Sequence, residues 1–396
     1  MHQVALTDRS RLGGHMQRSV YGEDHEEFRE TARAFVERTL LPGYERFATE
    51  REIPRDAWHA AGKADLLGLE IAERFGGSAP EDYRFNAVLQ EELGRASMAF
   101  HSCFQMHFDV AVPYLSIYGT EDQKQRWLPG AANGDIVSTI AMTEPSGGSD
   151  LASLRTSAVR RGDRWVLNGS KTFITNGYTA DLVIVAARTS PEKRAKGITL
   201  FALETGTPGF ERGRKLDKVG QPEANTAELF FNDVELGDEH MIGELDRGFI
   251  QMMEQLPQER IGAAVGNLAQ AWSVLEETLV YVKERQAFGQ PIGSFQHNKF
   301  MLADMVTKME VTQAFVDACV DAHARGELSA VDAAKAKYVS ADVQNEIIDN
   351  CVQLFGGYGY MKEYRVAQAW LDARVTRIWG GTNEIMKEII GRDLGL

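Results

Sequence analysis

Ile136-Val137-Ser138-Thr139-Ile140-Ala141-Met142 runs directly into Thr143-Glu144-Pro145-Ser146-Gly147-Gly148-Ser149-Asp150, and the join of these two segments decides the fold. The first is an apolar, partly β-branched run of strand length. The second is a turn carrying hydroxyls, adjacent glycines and acids. Such a turn brings backbone N–H groups and the Thr143 or Ser149 hydroxyl close to a phosphate or a polar ring edge. Taken alone, it reads equally well as a plain Pro-Gly loop.

Outward from this join the hydrophobic period changes in both directions. Upstream the pattern is helical: Phe28, Ala32, Phe35, Val36 and Leu40 fall on one face, and Pro42-Gly43 is expected to end the run. Similar stretches follow at 58–69 and 86–99 and continue to Trp127. Downstream come short runs rich in Val, Ile, Thr and Phe, at 164–167, 171–174, 182–187, 198–203 and 228–231. Asn168-Gly169 between the first two predicts a hairpin. Helical periodicity returns after Gly248, with Ile261, Val265, Leu268, Trp272, Leu275 and Leu279 in one stripe and 300–319 in another. No long helix separates the strands, which argues for an antiparallel barrel or sandwich over a parallel βαβ sheet. No G-x-G-x-x-G follows a strand, so a dinucleotide would not be bound Rossmann-fashion. The expected chain is α+β: a polar N-terminal arm over 1–20, an N-terminal α-helical domain over 21–137, a central antiparallel β-domain over 138–247 and a C-terminal α-helical bundle over 248–396.

The 396 residues carry a net charge of −14, which argues against a nucleic-acid-binding field. An anionic ligand can still be held by a local Arg and backbone N–H groups. Cys103, Cys319 and Cys351 are odd in number and widely spaced. They suggest neither a disulfide framework nor a metal site, and fit small core residues in a reducing cytoplasm. No run approaches the ~20 apolar residues of a membrane helix, and no apolar leader opens the chain.

Four further segments complete the pattern. They are Lys171-Thr172-Phe173-Ile174-Thr175-Asn176-Gly177, then Arg285-Gln286-Ala287-Phe288-Gly289 with Phe295-Gln296, then Gln353-Leu354-Phe355-Gly356-Gly357, and finally Gly380-Gly381-Thr382-Asn383-Glu384. Together with 141–150 they resemble, in order and spacing, the signature segments of the acyl-CoA dehydrogenase family, over 21–391. The resemblance implies an N-terminal helical domain, a β-domain and a C-terminal four-helix bundle. It implies FAD as cofactor, a medium- or long-chain acyl-CoA as substrate in fatty acid β-oxidation, and an electron-transfer flavoprotein as partner. A homotetramer, arranged as a dimer of dimers, is the family expectation. Met142, Thr143 and Thr175 would meet the flavin, with Phe173 beside it where relatives often have Trp. Gly148 and Ser149 would lie near the pyrophosphate or the substrate. Arg285, Phe288, Gln296, Gln353, Gly356 and Gly357 would reach FAD across a dimer interface, with Thr382 and Glu384 at its far end. A guanidinium suits phosphate geometrically, and paired glycines let a backbone approach a cofactor closely.

The base is where the chain departs from many relatives. They carry the catalytic Glu one residue before Gly-Thr, where Ile378-Trp379-Gly380-Gly381-Thr382 has Gly380, which cannot take a proton. Leu256-Pro257-Gln258-Glu259-Arg260 offers a substitute. The long-chain and isovaleryl branches place the base there, and the motifs match the long-chain type closely. A lone Glu beside an Arg on a helix is ordinarily a solvated pair; the glycine at 380 reverses that reading for Glu259. In an apolar pocket its pKa should rise toward the working pH. Arg260, Gly380 and Gly381 would then border the substrate, the Gly380 N–H meeting the thioester oxygen. Relatives that reoxidise flavin with O₂ (an acyl-CoA oxidase or a flavin N-hydroxylase) and a FAD-holding DNA-associated protein are the rival readings. His107 reads as a satisfied core histidine, and Glu91-Glu92 as a solvated or structural helix face.

Overall fold

The opening stripe folds as Glu23–Phe35 (α1), but Pro42-Gly43 does not end the helical path. In the computed structural model, which describes residues 18–396, a π-helical turn (Val36–Leu40) and a 3-10 turn (Leu41–Gly43) carry it into Tyr44–Glu50 (α2). Proline is tolerated here because it stands in the first turn of a new segment, where its missing N–H costs nothing. Arg55–Lys63 (α3), Arg84–Ala96 (α4), Met98–Gln105 (α5), Val112–Tyr118 (α6) and Glu121–Asn133 (α7) complete the first helical layer. Trp58 packs on Phe104 with ring centroids 4.3 Å apart, at the centre of a core that also holds Phe35, Leu40, Leu93 and Phe100. Residues 1–17 of the expected polar arm lie outside the described residues. Arg18, at its end, bonds Glu91 of α4 at 2.7 Å.

The acidic pair on α4 is buried, so it is not a solvated face. Arg29 reaches Glu91 at 2.7 Å and Arg33 reaches Glu92 at 3.0 Å, tying α1 to α4. Buried carboxylates persist only when paired in this way.

The strands are Ser138–Ala141 (β1), Ser157–Arg161 (β2), Arg164–Thr175 (β3), Leu182–Arg188 (β4), Ile198–Glu204 (β5), Phe210–Lys215 (β6), Thr226–Leu236 (β7) and Met241–Ile242 (β8). They run in the order β6-β7-β3-β2-β4-β5-β8, with β1 beside β4. Most pairs are antiparallel as expected. β1 joins β4 in parallel, Ser138 opposite Leu182, because the long return through β2 and β3 supplies the crossover that parallel neighbours require. The sheet is therefore mixed. β4 and β5 are apolar at nearly every position because both faces are covered. Leu182, Ile184 and Ala186 face Tyr114, Leu115 and Trp127 of the helical layer. Val183, Val185 and Ala187 face Phe201, Phe231 and Leu236 inside the β-domain.

The expected hairpin at Asn168-Gly169 is absent. β3 runs straight through it, with a register shift between Leu167 and Gly169. The turn between β2 and β3 is Gly162-Asp163, flanked by the Arg161–Arg164 pair. Gly162 adopts φ +63, which a two-residue hairpin of the favoured hand needs. Asn168 instead cross-bonds Asp233 of β7, its Nδ2 donating at 3.0 Å and its Oδ1 accepting at 2.9 Å.

Gly248–Glu284 (α8), Gln296–Ala324 (α9), Ala330–Phe355 (α10) and Arg365–Ala373 (α11) pack around one core, to which Leu268, Trp272, Met309, Val316, Ile347 and Val366 contribute. A short hairpin of Gln286–Ala287 (β9) and Gln290–Pro291 (β10) links α8 to α9, and Asn383–Asp393 (α12) closes on α10.

Gly169 has φ +149, and a Cβ there would sit 2.5 Å from Thr156 Oγ1. Gly169→Ala should therefore lower stability by roughly 1–3 kcal/mol. Urea unfolding checks this; an unchanged midpoint would mean the bulge relaxes freely.

Candidate active site

The turn after β1 is pinned from behind by a buried ion pair. Lys171 Nζ of β3 donates to Glu144 Oε1 and to the Met142 carbonyl, both at 2.9 Å. Glu144 also accepts the N–H groups of Arg155 at 2.6 Å and Thr156 at 2.9 Å. Burial alone would raise the Glu144 carboxyl, but Lys171 and these donors outweigh it and hold it at about 2. Desolvation pushes Lys171 down to about 8 against the pull of Glu144. With its inner side so fixed, the turn leaves Met142, Thr143 and Gly148 half-exposed and Ser149 exposed. The Thr172 N–H donates to the Thr143 carbonyl at 3.0 Å, which brings β3 alongside. A second bulge between Lys171 and Ile174 turns Phe173 out, at φ +59 and 68% exposed, while Thr175 stays half-buried. A bulky residue held left-handed with its ring in solvent is an uncommon cost outside functional sites.

Two further clefts lie in the C-terminal helices. One, of about 450 Å³, is lined by Arg285, Phe355, Gly356, Gly357 and Tyr358, with the Arg285 guanidinium 5.7 Å from the Tyr358 ring centre. Gly356 adopts φ +60, and nothing stands within 4 Å of where a Cβ would be at Gly356 or Gly357. Phe288 projects nearby on the β9–β10 hairpin, 96% exposed at φ +52, and Gln296 opens α9 in solvent. Gln353 is exposed in the last turn of α10, where its carbonyl receives the Gly356 N–H. The other cleft, of about 490 Å³, is lined by Thr382, Glu384, Arg374, Arg377 and Lys387. Thr382 caps α12, its Oγ1 accepting the Ile385 N–H at 3.3 Å. The Arg285 cleft lies far from Glu259 within the chain. Along α8 alone, the 26 residues from Glu259 to Arg285 span about 39 Å at 1.5 Å each.

Glu259 stands early in α8, two residues after Pro257, which has no N–H to return to the preceding turn. Burial pushes its carboxyl up to about 7; Arg260 pulls the other way and Asp109 adds to the rise. Arg260 is buried, and its Nε donates to the Gly380 carbonyl at 3.4 Å. Lys337, fully buried on α10, donates to the Gly381 carbonyl at 2.7 Å. Because a trans peptide points its N–H opposite its C=O, the Gly381 and Thr382 N–H groups face away from these cations. Gly380 and Gly381 sit at φ +61 and +90, and the Cβ position of Gly380 opens onto empty space. Trp379 Nε1 and the Tyr114 hydroxyl are buried without a protein partner, and Tyr114 lies within electrostatic reach of Glu259.

The structure thus brings Arg260, the neighbour of Glu259 in the chain, to Gly380 and Gly381, and separately gathers Met142, Thr143, Gly148, Ser149, Phe173 and Thr175. Sequence reasoning missed Glu144, Lys171, Lys337 and Asp109. Lys337 had a signal: it shares helical spacing with Ala333, Ala341 and Gln344, on the buried face of α10. His107 is satisfied as expected, Nε2 meeting the Ala131 carbonyl at 3.0 Å and Nδ1 meeting Ser138 Oγ at 2.8 Å.

Residues 22–135 match the model of the acyl-CoA dehydrogenase N-terminal domain, 139–234 that of its middle domain and 246–395 that of its C-terminal domain. The mitochondrial long-chain specific acyl-CoA dehydrogenase of Sus scrofa is 43% identical over 383 residues, 95% of this chain and 88% of the relative. An acyl-CoA dehydrogenase of Bacillus subtilis is 37% identical over 92% of this chain and 96% of its own. The crystal structure of acyl-CoA dehydrogenase from Geobacillus kaustophilus superposes with a TM-score of 0.94 at 40% identity, covering 96% of this chain and all (100%) of that one. The chain belongs to the acyl-CoA dehydrogenase family.

Lys171→Met would strand the Glu144 carboxylate in the interior, at a cost of about 3–5 kcal/mol at pH 7. The cost should shrink near pH 4, because burial, now unopposed by Lys171, raises Glu144 and lets it take up a proton. Calorimetry at both pH values reads this; equal losses would contradict it.

Proposed function

We propose that this protein is an FAD-dependent dehydrogenase that converts a medium- or long-chain acyl-CoA to the trans-2-enoyl-CoA, with Glu259 as base. The single observation that carries the assignment is Glu259 itself: a carboxyl that burial raises to about 7, next in the chain to Arg260, which bonds the open, side-chain-free Gly380. A general base works best when its pKa lies near the operating pH.

The residues suit the flavin. Phe173 offers a flat ring beside Thr143 and Thr175, Trp379 Nε1 is a buried donor in need of an acceptor, and the Arg285 cleft joins a guanidinium to an open glycine backbone. When bound, FAD supplies the acceptor for the β-hydrogen and its electron pair. The chain's own residues do the rest. Glu259 takes the α-proton. The Gly380 N–H donates to the thioester oxygen as negative charge gathers there, the donor being fixed before the reaction begins. Arg260 and Lys337 hold the loop that carries it. In this reading 21–137 and 138–247 enclose the acyl chain and the flavin, and 248–396 carries the base.

The separation between the Arg285 cleft and Glu259 supports a cofactor shared between subunits of a homotetramer. An electron-transfer flavoprotein would take the electrons in fatty acid β-oxidation. Three free, buried cysteines suit a reducing compartment such as the cytoplasm; the porcine relative is described as mitochondrial.

The purified protein should be yellow and release FAD on denaturation; release of FMN would refute the cofactor. Anaerobic mixing with a saturated acyl-CoA should bleach the oxidised flavin, with a rate that rises as pH passes about 7 and Glu259 ionises. Glu259→Gln should still bind substrate but bleach on the order of 10²–10⁴-fold more slowly. Rapid bleaching by that variant would assign the proton to another residue. Glu259→Gly with Gly380→Glu should regain part of the rate, less whatever the left-handed backbone at 380 takes from a non-glycine residue.

Arg285→Ala removes a charge-assisted contact of a kind worth about 1.5–3 kcal/mol. FAD affinity and dimer stability should fall together. Unchanged FAD retention on dilution would count against the shared placement.

A further inference from the structure

We propose that Asp109 is the positioning residue of the base: from a π-helical turn it holds Gln258 directly and the Glu259 peptide through Gln105, and its charge adds to the field at the Glu259 carboxyl. The inference rests on Glu259 being the base.

Between α5 and α6 the chain widens into a π-helical turn, Met106–Ala111. Such turns insert an extra residue, cost regular helical bonds and concentrate at functional sites. This one delivers Asp109, 1% exposed, into the crossing of α4 and α8. Amide donors converge on it from three elements. Asn86 and Gln90 of α4 donate at 3.0 Å each. Gln258 of α8 donates to its Oδ1 at 3.3 Å and to its carbonyl at 3.1 Å. Gln105 of α5 also bonds it, and sends its Nε2 to the Glu259 carbonyl at 3.1 Å. The Tyr83 hydroxyl adds a longer contact at 3.4 Å. Asp109 therefore holds the Gln258 side chain directly and reaches the Glu259 carbonyl through Gln105.

The cluster exists because α8 has no side chain at Gly262. A Cβ there would lie 2.4 Å from Gln105 Nε2, 2.4 Å from Gln90 Oε1 and 2.7 Å from Asp109 Oδ2. Four amides aimed at one buried side chain suit a carboxylate, because a charged acceptor strengthens each bond. The titratable groups around it leave that charge without a counter-ion among those facing it. Glu70, joined through Asn86 at 2.8 Å, is itself raised to about 7. His101, near Gln90, and His323, bonded to Gln258, are both pushed down to about 4 by burial and stay neutral. Tyr83 and Tyr114 are held protonated. Arg260 is the cation that faces Glu259. Burial raises Asp109 itself to about 6, so near pH 7 it stands as a like charge to the base, adding to the rise that burial causes and Arg260 opposes.

Asp109→Asn keeps the size and removes the charge. In the acyl-CoA bleaching assay its acid limb should move to lower pH, with the maximal rate reduced. A folded variant with an unmoved limb overturns the proposal. Gln258→Met separates position from field: it cuts the bridge to Asp109 but keeps the charge, so the rate should fall about tenfold or more, as displaced catalytic groups do, while the limb stays. A wild-type rate for Gln258→Met overturns the clamp even if Asp109→Asn fails to fold. Glu259→Gln runs alongside. If it bleaches normally, the base assignment fails; if it is inert while Asp109→Asn leaves the profile unchanged, only this inference fails.

Discussion

The crossing of α4 over α8 is the constraint on which the site depends. Gly94 lies so close to Gly266 that a Cβ on the first would stand 2.9 Å from the carbonyl of the second. One turn earlier Gly262 admits the amides of Gln90 and Gln105, and at Gly266 the absent side chain makes room for the His101 ring, 2.2 Å from the Cβ position. Glycines four apart clear one face of a helix. Here the cleared face lets the first helical layer carry polar side chains into contact with the helix that bears Glu259. Larger residues would push the layers apart and leave those amides without partners.

Buried charge is divided in a way that separates structure from chemistry. Lys171 with Glu144, Arg95 with Glu276 at 2.7 Å, and Arg29 and Arg33 with Glu91 and Glu92 are all matched pairs. Each holds two elements together, and each would cost dearly if one partner were lost. Glu259 differs. Its neighbours are a buried Arg that also bonds the Gly380 carbonyl and an Asp of the same sign. A carboxylate so weakly compensated stays basic enough to react.

The order of helical, strand and helical periods was legible because burial imposes it on long segments. β4 and β5, apolar at nearly every position, could be placed as strands by length and β-branching alone. Local turns were less legible. Asn168-Gly169 carries a strong hairpin signal, yet cross-strand bonds to Asp233 keep β3 running, while Gly162-Asp163 makes the turn. Which of two such dipeptides turns depends on β7, far along the chain. The proposed exchange of Gly380 for Glu259 as base was suggested by sequence because it replaces one position by another. Asp109 could not, since a single acid after Phe108 looks like any surface residue until the π-helical turn rotates it inward.

Placing the proposed base on α8 also changes what the Gly380 loop can be. A loop that carries the base must aim a side chain, which for a non-glycine residue disfavours positive φ. With glycine at 380 and 381 the backbone enters the left-handed region at little cost. There its carbonyls turn to Arg260 and Lys337, at 3.4 and 2.7 Å, and both contacts fix the peptides rather than a side chain. In the proposed mechanism the loop gives up proton transfer and becomes a rigid donor surface, while a helix anchored by Asp109 and Gln258 holds the carboxylate. The two changes support each other: a left-handed 380 penalises a glutamate there, and a base on α8 removes the need for one.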